Sequence, residues 1–386
     1  MSNRRRWEID ALRGLMLMLM TLTHLPTRLS EPFGQPFGLV SAAEGFVLLS
    51  GYMAGLVYGR AAVEKGVAAM RRAFSRRAHV VYLCHAALLL FLFTVIALIG
   101  IRVDEPAVKN LMAYYLQHPL DALVGGLILI YQPPLLDILP MYVIFMLVSP
   151  WALVLALRAG WAPVMAASLA VWLLAQFGLA QWLYEAVAAA TPLPVPYAQT
   201  GSFHVLAWQF LWMMGLWMGA SRHEPEPAPF TFPNSAVAIA AVAALVCFVW
   251  RHAVGQVPFP GNATLNLLFD KWHLGPLRLL NLMALMVLVI RFGPWLASHL
   301  PRLRFLETLG AASLAVFCAH LVVVLLTLSL FGAQQDRAWS VDVPLLAVAL
   351  SSLYAAGWLT LWLEQQPPGR LARFFSGWLR QKPTGQ

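Results

Sequence analysis

The sequence predicts an all-α, polytopic integral membrane protein of about ten transmembrane helices packed in one bundle. Three observations predict it. Of the 386 residues, 60% are hydrophobic and only 11% are charged, whereas a soluble domain carries about a quarter charged residues. The mean hydropathy is +0.70. The apolar residues also fall in runs long enough to cross a hydrocarbon core of about 30 Å as helices. No polar stretch is long enough to fold as a separate soluble domain, so residues 1–386 read as a single membrane-embedded unit with a basic tail from about residue 366.

The expected spans lie at 10–26, 39–59, 79–100, 138–157, 162–180, 204–220, 235–252, 276–292, 306–331 and 343–363. The first is preceded by Arg4, Arg5 and Arg6, as a signal peptide would be, but Glu8, Asp10 and Arg13 interrupt the transition and no small-residue cleavage site follows. It reads as an uncleaved first helix. Residues 111–131 are apolar but carry His118, Pro119, Asp121 and a glycine pair, so they are placed as a surface or re-entrant helix. An even number of spans puts both termini on one side. With that side cytoplasmic, its segments hold 18 of the 26 Lys and Arg residues, the bias that the positive-inside rule describes. The same rule accounts for the net charge of +9, so no nucleic-acid partner is inferred. The outer loops are rich in proline and aromatic residues. Cys84, Cys247 and Cys318 sit in apolar runs without metal or redox spacing and read as core residues. No phosphate loop, nucleophile elbow or metal-ligand motif occurs, and no metal is expected.

Ionisable groups inside a span are costly and call for a reason. Arg13 and His24 are eleven residues apart. At about 100° per residue that returns both to one helix face, about 16 Å apart along the axis. A cation at one depth and an imidazole at another suit a long, partly anionic ligand. The pair also reads as a snorkelling arginine and an imidazole capping the helix end beside Pro26. Glu44 enters the second span at the depth assigned to His24, where a carboxylate would orient the imidazole and raise its basicity; it also reads as a protonated carboxyl, or as the partner of an outer-loop arginine such as Arg28. Ser50, Gly51 and Gly55 read as close-packing positions. Arg71, Arg72, Arg76 and Arg77 form a basic cluster suited to anionic lipid or, through the arginine forks, to phosphate. Ser313 and His320 are seven residues apart and share a face of the ninth span.

At these residues the chain resembles the transmembrane acyltransferase-3 superfamily. Glu8-Ile-Asp-Ala-Leu-Arg-Gly, with ten residues between Arg13 and His24, is similar to its Arg-x10-His signature. Ala43-Glu-Gly-Phe-Val-Leu-Leu-Ser-Gly-Tyr52 resembles its second-helix pattern, with Glu44 where the broader family often has Asp. Arg72, Arg76, Arg77 and Tyr82 resemble its basic entry to the third helix, and Leu309-Gly-Ala-Ala-Ser-Leu with His320 its late Leu-Gly, Ser-Leu and His element. Within the superfamily the chain looks most like the OpgC type, the succinyltransferases of osmoregulated periplasmic glucans, on Met20-Thr-Leu-Thr-His-Leu-Pro26, the Ala-Ala-Glu-Gly-Phe run and Asp137-Ile-Leu-Pro-Met-Tyr142.

The resemblance implies a multi-pass enzyme of the bacterial inner membrane with no bound cofactor. It would move an acyl group, succinyl by the subfamily, from cytoplasmic acyl-CoA to a periplasmic glucan hydroxyl. His24 is then expected as the general base and Glu44 as its orienter. Arg13, Arg72, Arg76 and Arg77 would meet the coenzyme's phosphates. Asp10, Ser50, Tyr52, Asp137 and His320 are the remaining substrate-binding candidates. A transporter or flippase using the same buried groups is the competing class; no inverted repeat or matched pair of broken helices favours it.

Overall fold

The computed structural model describes residues 7–103, 105–191, 194–223 and 230–366, and among them all regular structure is helical. Arg4–Arg6 and the basic tail beyond residue 366 lie outside the described residues. The long helices are α1 (Trp7–His24), α2 (Ala42–Lys65), α3 (Val67–Gly100), α4 (Ile138–Ala159), α5 (Trp161–Ala175), α6 (Leu179–Ala190), α7 (Val205–Ala220), α8 (Asn234–Val254), α9 (Pro276–His299), α10 (Arg304–Ala311), α11 (Ser313–Phe331) and α12 (Trp339–Glu364).

Seven of these, α2, α3, α4, α8, α9, α11 and α12, are long and apolar enough to cross a membrane, and the pair α5 and α6 makes an eighth if taken as one bent span. The expected spans that fall outside this set differ for physical reasons. α1 carries Glu8, Asp10 and Arg13 within 18 residues. The expected span 162–180 breaks by 79° between α5 and α6, at a left-handed Gly178 (φ +83°). α7 has only 16 residues. The expected span 306–331 is divided at Ala312 into α10 and α11. Residues 106–127 form three short helices, as a proline- and glycine-broken segment should.

Local sequence explains the helix ends. Ser41 and Glu44 form a capping box at the start of α2: the Ser41 backbone N–H donates to Glu44 Oε2 at 3.0 Å. Gly66, at φ +83°, closes α2 and opens α3, a conformation that L side chains resist. In α3 the stretch Leu92–Ile96 adopts π-helical turns, with Leu92, Phe93 and Ile96 buried.

The core is an apolar cluster with Trp208, Trp212, Phe74 and Phe145 fully buried. α8, α9 and α12 instead turn many large apolar side chains outward, Ile239, Leu245, Val289 and Trp358 among them, which is stable where lipid is the solvent. Close helix approach carries the packing, as expected where small residues substitute for a hydrophobic driving force. Gly51 and Gly55 of α2 meet the backbone of α7, whose Gly215 and Gly219 meet α2 in return. A Cβ at Gly55 would overlap the Leu216 carbonyl. Gly55→Val is therefore expected to cost about 1–3 kcal/mol or more through overpacking, read as a lowered unfolding midpoint of the detergent-purified protein. Gly14 of α1 and Gly310 of α10 make the same kind of contact, Gly310 against the Asp10 backbone. This fixes the rotation of α1, and so the direction in which Arg13 and His24 point.

Candidate active site

α1 and α11 run side by side in the same sense, tied at two levels. At the first, an Arg13 Nη donates to Ser313 Oγ, with Asp10 Oδ1 4.0 Å from Arg13 Nη1. Roughly two turns further along, the His320 ring stands between Thr21 and His24. His320 Nδ1 lies 3.1 Å from Thr21 Oγ1, and His320 Nε2 lies 3.1 Å from His24 Nδ1. The two rings stack with centroids 5.2 Å apart. His320 is fully buried and His24 half-buried.

These contacts determine the tautomers. Thr21 has one hydroxyl proton, and it is donated to the Leu17 carbonyl at 2.8 Å. Thr21 Oγ1 must then accept from His320 Nδ1–H, which leaves His320 Nε2 with a lone pair. That lone pair accepts from His24 Nδ1–H. His24 Nε2 is left as the lone-pair nitrogen, the form a general base needs. The proton arrangement is assigned from the hydrogen-bond network.

A cavity of about 180 Å³ leads toward this pair. Its lining on α2 runs from Phe46 to Tyr58, about 18 Å of helix at 1.5 Å per residue. Tyr58 and Arg77 line one end, and the Tyr58 ring lies tilted against Phe74, centroids 4.2 Å apart, one turn before Arg77. Arg13, Ser313, Ser50 and Tyr142 line the middle. At the other end Phe46 and Phe317 stack, centroids 6.0 Å apart, and Phe317 is 5.9 Å from the His320 ring. The cavity is thus apolar along its length, with guanidinium groups at one end and in the middle, and a histidine pair one helical turn beyond the other end.

Glu44 does not take the expected place beside His24. It is fully buried, with one oxygen 2.5 Å from Arg278 Nη1 and the other accepting from Ser41 Oγ and N. A carboxylate buried this deeply has to be paired, and the capping box draws it back toward its own helix start. The orienting contact to His24 comes from His320. Arg72 and Arg76 are exposed and off the cavity lining; of the basic cluster only Arg77 reaches it, because α3 turns Phe74, Arg77 and Val81 inward. Tyr52 is half-buried and outside the lining, its backbone carbonyl against Gly219. Asp137 lies at the start of α4, where it accepts from the Ser202 N–H at 3.1 Å. Burial pushes its carboxyl up to about 6, against the hydrogen bonds that favour the anion. Thr21, Phe46, Tyr58, Tyr142 and Phe317 complete the site. Sequence reading gives none of them a role of its own, although Thr21, Phe46 and Tyr142 fall within the stretches that carry the resemblance, because apolar and hydroxyl residues in a span carry little individual signal.

Among the described residues no group of three or more His, Cys, Asp or Glu side chains is placed to hold a metal ion. The family model described as OpgC protein matches residues 5–365 of the chain. No curated protein and no solved structure matches it.

Proposed function

The chain belongs to the OpgC protein family, and from that premise we propose that it is a membrane acyltransferase of the acyltransferase-3 kind, moving a succinyl group from cytoplasmic succinyl-CoA to a hydroxyl of a periplasmic glucan. The observation that carries the proposal is the His24–His320–Thr21 chain one helical turn beyond an arginine-bearing apolar cavity. In this reading the narrow cavity takes the coenzyme's pantetheine arm, and its phosphates stay at the Arg77 end with Arg13 further in. The hydrophilic coenzyme never crosses the membrane; only the acyl group is handed over. The basic residues at the cytoplasmic helix ends support this orientation and an inner-membrane location, with both termini inside.

The glucan hydroxyl gives its proton to His24 Nε2 as its oxygen attacks the thioester carbonyl carbon. The tetrahedral intermediate collapses with loss of the coenzyme thiolate, which takes the proton back from His24 and leaves as the thiol. One ester forms and one thioester breaks. His320 Nε2, accepting from His24 Nδ1–H, holds the ring in this tautomer and stabilises the imidazolium that forms between the two proton transfers.

The Arg77 assignment is tested by steady-state kinetics. Arg77→Ala is expected to raise KM for the acyl-CoA about tenfold with kcat within a factor of about three, since loss of a charge-assisted phosphate contact weakens ground state and transition state alike. An unchanged KM removes Arg77 from the coenzyme site.

A further inference from the structure

The segment between α8 and α9 is held more firmly than a loop needs to be. Each carbonyl from Phe269 to Leu274 accepts a hydrogen bond. Phe269 accepts from Arg278 Nε (3.3 Å), Asp270 from Gly275 N (2.9 Å) and Lys271 from Leu274 N (3.2 Å). Trp272 accepts from Trp208 Nε1 (3.0 Å) and His204 N (3.2 Å), His273 from Gln176 Nε2 (2.8 Å) and Leu274 from Trp172 Nε1 (3.1 Å). The donors come from α5, α7 and α9 and the adjoining chain. Asp270 Oδ2 also accepts from His273 N and Nδ1 at 2.7 and 2.8 Å. Loop carbonyls ordinarily face water; here the backbone is fixed by side chains of the bundle.

What the loop presents is Lys271. Its ammonium lies 4.8 Å from the Trp272 ring centroid and 6.0 Å from that of Phe203. Among the described residues no carboxylate lies within ion-pair distance of it. It is near enough to His24, Glu44 and Asp137 to act on each electrostatically. Neither carboxylate is committed to it: Glu44 is taken by Arg278 and Ser41, and Asp137 by Ser202. Burial, opposed by the nearby Glu44 and Asp137 and reinforced by Arg278, pulls the Lys271 ammonium below the ordinary lysine range. Three other cations on this side are engaged. Arg28 donates to the Arg337 carbonyl, Arg251 to Gln35, and Arg278 to Glu44.

We infer that Lys271 is the specificity-determining cation of the donor site, receiving the free carboxylate at the far end of a dicarboxylic acyl group whose thioester carbon lies at His24. The inference rests on the acyl-transfer reading. It adds to it a reason for choosing a dicarboxylic acyl group over a neutral one of similar length. The rigid loop matters because an ammonium on a mobile loop would give up part of its selectivity to the entropy of being ordered.

The test uses the purified full chain in liposomes with a β-glucan acceptor, and either succinyl-CoA or butyryl-CoA as donor. Butyryl has a methyl where succinyl has the carboxylate. The quantity read is the ratio of kcat/KM for the two donors. Lys271→Met and Lys271→Gln are each expected to lower the succinyl-to-butyryl ratio about 10- to 100-fold, the size of a lost charged hydrogen bond. Lys271→Arg is expected to keep it within about threefold, and that variant guards against misfolding of the neutral ones. An unchanged ratio in folded neutral variants, or an equal loss with both donors, overturns the assignment of Lys271 and leaves the acyl-transfer reading standing. Wild-type protein that transfers from neither donor overturns that reading and the inference with it.

Discussion

His24→Ala is expected to lower acyl transfer by about 10²- to 10⁴-fold, the range that a positioned general base contributes, with normal membrane insertion and an unchanged elution profile. Only the face of α1 that carries the site changes: Gly14 still packs on α10, and Arg13 still bonds Ser313. His320→Ala is expected to fall between wild type and His24→Ala, because the base remains while its tautomer and orientation are lost. Initial rates with purified protein separate the two. His320→Ala with full activity would mean that the stacked pair is only packing.

Arg278→Ala is expected to be the most destabilising single change, at about 3–5 kcal/mol, because it leaves the fully buried Glu44 carboxylate without its counter-charge. The same substitution frees the Phe269 carbonyl that anchors the Lys271 loop. Glu44→Gln is expected to cost less, since the amide oxygen still accepts from Ser41 and no lone charge is created. The double variant Glu44→Gln, Arg278→Met is expected to recover much of the stability lost in Arg278→Ala. Thermal unfolding in one detergent reports all three. An Arg278→Ala midpoint equal to wild type would show that the pair contributes nothing.

The helical nature of the chain and the seven helices long and apolar enough to cross a membrane are legible in hydropathy alone, because a helix in lipid has to be apolar over its whole length. The remaining boundaries are less so. The break at Gly178 depends on a left-handed residue, and the division at Ala312 falls on an alanine with an ordinary negative φ, two residues after Gly310. The Arg13–His24 face follows from spacing within one helix and needs no tertiary information. The pairing of His24 with His320 does need it, since nearly three hundred residues separate them; sequence spacing places His320 on a face with Ser313 but cannot say which helix that face meets. Glu44 shows the opposite error. Its depth suggests a partnership with His24, whereas the local Ser41-Ala-Ala-Glu44 spacing already carries a capping box, and the long-range partner is Arg278. For the basic cluster, helix phase decides. Arg76 and Arg72 lie about 100° and 140° around α3 from Arg77, so one helix cannot bring all three to the same cavity.

The most direct test of the central claim is mass spectrometry of periplasmic glucans from cells lacking the gene and complemented with wild type, His24→Ala or nothing. The predicted result is a succinyl-sized mass increment on the glucan that wild type restores and His24→Ala does not. Identical glucans in all three strains would contradict the assigned acceptor and the role of the transferred group. The same increment from His24→Ala as from wild type would contradict the histidine pair as the seat of the chemistry.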